Sequence, residues 1–225
     1  MNIRLGAWIT GAITLALVTV GAWTLSQIPA GRSVPIHFRV DGQPNGWAPA
    51  DIGLFIIPGV SVLTWLMQIF LPRITPRGAN LQRSPGAYDT IWITIALVLS
   101  FAEASIVAAA LGHPVNVTVA LPVVLGLMFI VVGNVLPKLR WNYVMGIRTP
   151  WTLADERVWD KTHRFGGWVM VLGGAVLVIG ALIPPYVGKP GLVAGTVGSI
   201  IVLTIGKSYL LWRETNPGGP AKPVA

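Results

Sequence analysis

The chain has no cysteine. That removes disulfide staples, thiol nucleophiles and cysteine-held metals, and it leaves the redox compartment open. Charge is scarce too: 11% of the 225 residues are Asp, Glu, Lys or Arg, against about 25% in soluble domains. A surface so poor in charge would not stay in water. Gly-rich phosphate loops followed by Lys, His-Glu-x-x-His and Gly-x-Ser-x-Gly are all missing. No close pair of carboxylates falls inside an apolar stretch. The residues give no warrant for catalysis, a cofactor or a bound metal.

What the chain does have is apolar length. Hydrophobic residues make up 53% of it, gathered into stretches at 5–25, 52–71, 91–111, 117–136, 166–183 and 191–211. Each is about the length that crosses a hydrocarbon core of roughly 30 Å. Backbone polar groups cannot stay unpaired in lipid, and these stretches lack the two-residue alternation of barrel strands, so helices are expected. The first stretch is longer than the apolar core of a signal peptide, and Ser26-Gln27-Ile28-Pro29-Ala30 is a poor cleavage site, so it reads as a retained helix. The expected fold is all-α: one polytopic transmembrane bundle of six helices spanning residues 1–225, with a disordered Pro- and Gly-rich tail at 213–225. Gly173, Gly174 and Gly180, with Gly191, Gly195 and Gly198, predict close packing between the last two spans.

The net charge of +8 is explained by topology. With the N-terminus inside, the inner segments hold Arg4; Arg73, Arg77 and Arg83; Lys138, Arg140, Arg148, Arg157, Lys161 and Arg164; and Lys207, Arg213 and Lys222. The outer loops hold Arg32, Arg39 and Lys189. Positive residues favour the cytoplasmic side, so both termini are expected inside. Nothing is left over that calls for direct nucleic-acid binding. Trp23, Trp47, Trp141, Trp151 and Trp212 lie near span ends, as interfacial anchors do. Asp51 and Asp89, also at span ends, are candidate helix caps.

Two loops are long enough to carry function, an inner one at 137–165 and an outer one at 26–51. Around the inner loop, Gly133-Asn134-x-x-Pro137-Lys138-x-Arg140-x-Asn142 is followed by Gly146-Ile147-Arg148-Thr149-Pro150-Trp151-Thr152-Leu153, then by Trp159-x-x-Thr162-His163-Arg164-x-Gly166. Thr149-Pro150 is a helix start, with Thr as cap and Pro in first position; Thr152 followed by Asp155 is a competing start. Either predicts a short helix at the membrane surface running to about Arg164, with Asp160–Arg164 as its one clean ion pair at i,i+4 spacing. In the outer loop, Val34-Pro35-Ile36-His37-Phe38 precedes Asp41-Gly42 and Asn45-Gly46-Trp47; the two Gly pairs are turn signals. His37 lacks the neighbours of a metal site and reads as a hydrogen-bonding residue.

These two sets of residues resemble the SdpI family of membrane immunity proteins, named for protection against a sporulation-delaying peptide toxin. The inner-loop signature is long and correctly placed between two spans, and Pro35-x-His37-Phe38-x-x-x-Gly42 is similar to the family's N-terminal motif. The family's Leu-Pro before that motif is Ile28-Pro29 here. The resemblance implies six spans, immunity to a secreted toxic peptide, and sequestration of a small DNA-binding repressor at the membrane. Toxin is expected at the outer loop (Pro35, His37, Phe38, Gly42, Trp47). The repressor is expected at the inner one (Asn134, Pro137, Lys138, Arg140, Asn142, Gly146, Arg148, Thr149, Pro150, Trp151, His163, Arg164), with Arg148 and His163 needed for its capture.

Glu103 stands apart, in the middle of the third span. A carboxyl there costs roughly 2.5–3.5 kcal/mol or more. It supports an alternative reading as a transporter or lipid-handling protein with a path past Glu103, set against a neutral Glu that merely aids packing. An enzyme using His163, Arg148 and Asn134 ranks below both, because Lys161 and Arg164 make His163 a poor base.

Overall fold

The structure is a computed structural model that describes residues 5–39, 42–113, 116–184, 186–187 and 189–216. Arg4, Asp41, Lys222 and most of the expected tail fall outside these residues. Six helices are long and apolar enough to cross a membrane. They are α1 (Leu5–Gln27), α2 (Ala50–Ile74), α4 (Pro85–Ala110), α5 (Val117–Val135), α7 (Glu156–Leu182) and α8 (Pro190–Thr215). Two five-residue helices, α3 (Gly78–Gln82) and α6 (Pro150–Ala154), lie between spans, and a 3-10 turn at Leu136–Lys138 extends α5. The last helix continues through Thr215, so the first residues assigned to the tail are helical. The spans alternate in direction. One end of the bundle carries the 28–49 connection, and the other carries the 136–155 connection.

The 28–49 connection holds the one element that the all-α expectation missed. Ser33–Phe38 (β1) and Pro44–Pro49 (β2) pair antiparallel, with irregular register on either side of His37. Proline is tolerated in such a ribbon because both strands are edges. The irregularity also breaks the two-residue alternation that would have announced strands in the sequence. A lone hairpin is marginal in water, but this one is anchored. Val34 is fully buried in a cluster with Ala50, Leu54, Ile106, Val107 and Ala110. Gly53 makes room for it: a Cβ there would sit 2.5 Å from the Val34 Cγ2.

Two helix pairs are held differently. Between α1 and α2 runs a buried polar seam. The Thr10 hydroxyl donates to Gln68 Oε1 (2.5 Å), Thr14 and Ser61 share a hydrogen bond of 2.7 Å, and Trp65 Nε1 donates to the Ala7 carbonyl at 2.8 Å. Between α5 and α7 the backbones touch. Gly126 faces Gly174, and Gly133 faces Gly167; a Cβ on Gly126 would lie 2.6 Å from the Gly174 oxygen, and one on Gly133 2.6 Å from the Gly167 oxygen. The seven-residue spacing on both helices places both glycines of each on one side, which permits close antiparallel approach.

This corrects the expected glycine packing. Gly174 meets α5, not α8. Gly173 and Gly180 do touch α8, at Ile200 and Leu192, but Gly191, Gly195 and Gly198 have open space where a Cβ would go. The expected caps need correction as well. Pro49 precedes α2 and Ser84 precedes α4, while Asp51 sits in the first turn of α2 and Asp89 lies inside α4.

Candidate functional site

At the 136–155 end, the signature residues fold into a closed cap. Asn142 is fully buried and ties a turn together: its Oδ1 accepts from the amides of Val144 and Met145, both at 2.8 Å, and its Nδ2 donates to the Arg140 carbonyl at 2.8 Å. Gly146 takes φ +111°, a region that side chains rarely adopt. That turn brings the Ile147 amide onto His163 Nε2 at 3.0 Å. The other ring nitrogen, Nδ1, lies 2.8 Å from the Trp159 carbonyl. Nε2 must accept and Nδ1 must donate, so the geometry requires the neutral, Nδ1-protonated imidazole. The ring stacks on Trp159 with centroids 3.8 Å apart, and Trp159 Nε1 donates to the Leu139 carbonyl at 2.9 Å.

The second half of the cap is pinned to neighbouring helices. Thr149 caps α6, with its hydroxyl accepting from the Thr152 amide and Pro150 in first position. Thr149 Oγ1 also donates to Ser208 Oγ of α8 at 3.0 Å, and Thr152 Oγ1 donates to the Ile147 carbonyl at 2.7 Å. Trp141 is not a free interfacial anchor. Its Nε1 donates to the Thr152 carbonyl (2.9 Å), and the Arg77 guanidinium lies 3.2 Å from its ring centroid. Asn80 donates to the Trp141 carbonyl, and the Arg140 amide donates to Ser84 Oγ. Sequence reasoning missed Arg77, Asn80, Ser84 and Ser208 because each acts across a long separation in the chain.

The expected short helix to Arg164 is broken at Asp155. There the chain is extended and Asp155 caps α7, which then runs unbroken from Glu156 to Leu182. The Asp160–Arg164 pair is not formed. Both side chains are exposed, where a pair gains little. The ion pair among the described residues is Arg157–Asp155 at 3.0 Å. The hydrogen bond from Arg157 holds the Asp155 carboxyl below its usual range. A depressed folded-state pKa contributes stability above the ordinary carboxylate range, and that contribution is lost as pH falls through the folded-state value. Asp155→Ala is therefore expected to cost about 1 kcal/mol at neutral pH and much less in strong acid, as measured by detergent-phase thermal unfolding at both pH values.

The structure thus divides the inner-loop candidates. Asn142, Thr149 and His163 are buried; Trp151 is half-buried and makes a tilted ring contact with Tyr209 of α8, centroids 5.1 Å apart. Lys138, Arg140, Arg148 and Arg164 are exposed. Arg148 donates to the Tyr143 carbonyl at 3.0 Å, and Asn134 donates to the Ile130 carbonyl of its own helix. Pro137 packs against Gly167. His163 offers no exposed surface: both of its ring nitrogens are engaged inside the cap.

At the other end, Ile36, His37, Phe38 and Arg39 roof a cavity of about 640 Å³ between α4, α5, α7 and α8. Pro35 is buried, Trp47 is exposed opposite it, and the His37 ring bonds to the Asn45 side chain. Gly42, at φ +83°, lets the hairpin tip approach Val117 and Thr118. Glu103 is fully buried but faces elsewhere, toward Gly21 and the α1–α2 seam. Among the described residues, no cluster suited to a metal ion is present.

A six-span bundle with an interlocked cap at one end and a roofed apolar cavity at the other defines a multi-pass protein of the cell membrane. Residues 138–216 match the SdpI/YfhL protein family. Residues 12–62 match a domain of unknown function, DUF1648. Over 148 residues the chain is 26% identical to Immunity protein SdpI of Bacillus subtilis (strain 168), covering 66% of this chain and 69% of that protein. No solved structure matches.

Proposed function

We propose that this protein gives its cell immunity to a secreted, apolar toxic peptide, which it receives at the hairpin end. The cavity roofed by β1 carries this reading. It opens at the end that the charge bias assigns to the outside, where a secreted peptide arrives. The similarity to a protein named as an immunity protein supports the same reading. The role is one of binding, not catalysis. Expression in cells sensitive to the sporulation-delaying peptide toxin is expected to let them survive it. Phe38→Ala, which strips an aromatic ring from the cavity, should abolish survival at an unchanged membrane level. Survival undiminished by Phe38→Ala would remove the cavity from the reading.

The cap also supports signalling. It holds Lys138, Arg140, Arg148, Lys161 and Arg164 on a rigid frame at the end assigned to the cytoplasm, a fitting surface for an acidic face of a small repressor. Transport past Glu103 has less support, because Glu103 is not among the residues that line the cavity.

A further inference from the structure

The cavity beneath the hairpin has walls and a rim of opposite character. Val98, Phe101, Ala102, Leu121, Val193 and Val197 give it apolar walls. Arg39 and Lys189 stand at its rim, and none of the described residues lining it is acidic. Neither cation has an ion-pair partner among the described residues. The helix ends that meet the cavity reinforce the rim: Val117 and Thr118 open α5, and Pro190 opens α8, so both present N-termini, where negative charge is favoured. Its volume of about 640 Å³ falls within the range of roughly 300–1,000 Å³ usual for ligand sites. An apolar pocket under a positive rim selects a molecule that is apolar along its length and carries a single anionic end.

We infer that the cavity seats the C-terminal end of an apolar peptide, with its last side chains against the α4, α5 and α8 walls and its free carboxylate at Arg39 and Lys189. The choice of a peptide over a lipid chain rests on the immunity reading; the apolar-anionic chemistry does not. The full-length protein in phosphatidylcholine nanodiscs is titrated with a fluorophore-tagged Leu/Val/Ala nonapeptide, and anisotropy is read. The free-carboxylate peptide is expected to bind about tenfold more tightly than its C-terminal amide, the equivalent of roughly 1.4 kcal/mol. Arg39→Gln with Lys189→Gln, both exposed positions, should erase that difference. Ala102→Phe should weaken both peptides by filling the pocket.

Equal binding of acid and amide overturns the carboxylate assignment, and full binding to Ala102→Phe overturns the cavity. Dodecanoate competing as well as the acid peptide would make this a lipid-chain site and overturn the peptide assignment. The toxin-survival assay separates the two ideas. Survival without nonapeptide binding sinks the C-terminal seat and leaves immunity standing, whereas binding without survival sinks immunity and leaves the seat.

Discussion

Gly146→Ala is expected to destabilise the protein by about 3 kcal/mol, near the upper end for a single substitution. Two effects add. The φ of +111° strains any residue with a Cβ, and the new methyl would overlap His163 Nε2 and crowd Trp159. His163 cannot step aside freely, because its nitrogens hold the Ile147 amide and the Trp159 carbonyl. His163→Ala is itself expected to cost about 2–3 kcal/mol, since it empties a stacked site and leaves the Ile147 amide without its acceptor. The double variant should lose clearly less than the sum of the two, because the overlap disappears with the ring while the backbone strain remains. Thermal unfolding followed by tryptophan fluorescence, which Trp159 and Trp141 report from inside the cap, gives all three values. Strict additivity would mean that the turn and the ring do not lock one another.

Gly126→Leu should also cost about 3 kcal/mol, for a different reason. Helices in lipid gain little from apolar burial against each other, so α5 and α7 depend on backbone contact. A side chain at Gly126 would push directly onto the Gly174 carbonyl, which cannot rotate away. Forcing the helices apart would also loosen Gly133 from Gly167 and, beyond it, Pro137. Gly195→Leu is the control: open space surrounds that position, and its unfolding temperature should stay within error of the parent. The two variants reversed in rank would show that the last two spans, not α5 and α7, form the close pair.

That comparison shows where sequence reading runs out. The six spans were legible because lipid imposes one length and one hydropathy. Thr149-Pro150 was legible because a helix cap is local chemistry. The glycines of α7 announced close packing but not its partner: Gly173 and Gly174 are adjacent in the chain and point to different helices. His163 lies between Lys161 and Arg164, which made it read as a poor base, yet on a helix it turns away from both neighbours and into the cap. Glu103 was legible as an oddity, and its burial fits, but nothing local shows that it faces Gly21. Bonds such as Asn80 to Trp141 join segments that no spacing rule connects. The hairpin announced its turn through Gly42, but Asn45-Gly46, expected as a second turn, lies inside β2 with Gly46 opposite His37, and Pro35 and the shifted register around His37 disguised the strands.

The central claim is a division of labour, with the toxic peptide received at the hairpin end and not at the cap. Photo-crosslinking in living cells tests it most directly. A photoreactive amino acid is placed at Phe38 in one chain and at Arg148 in another, both expressed in cells exposed to the sporulation-delaying peptide toxin. Adducts with the peptide are expected from position 38 and none from position 148. Adducts from position 148 with none from position 38 would contradict the division.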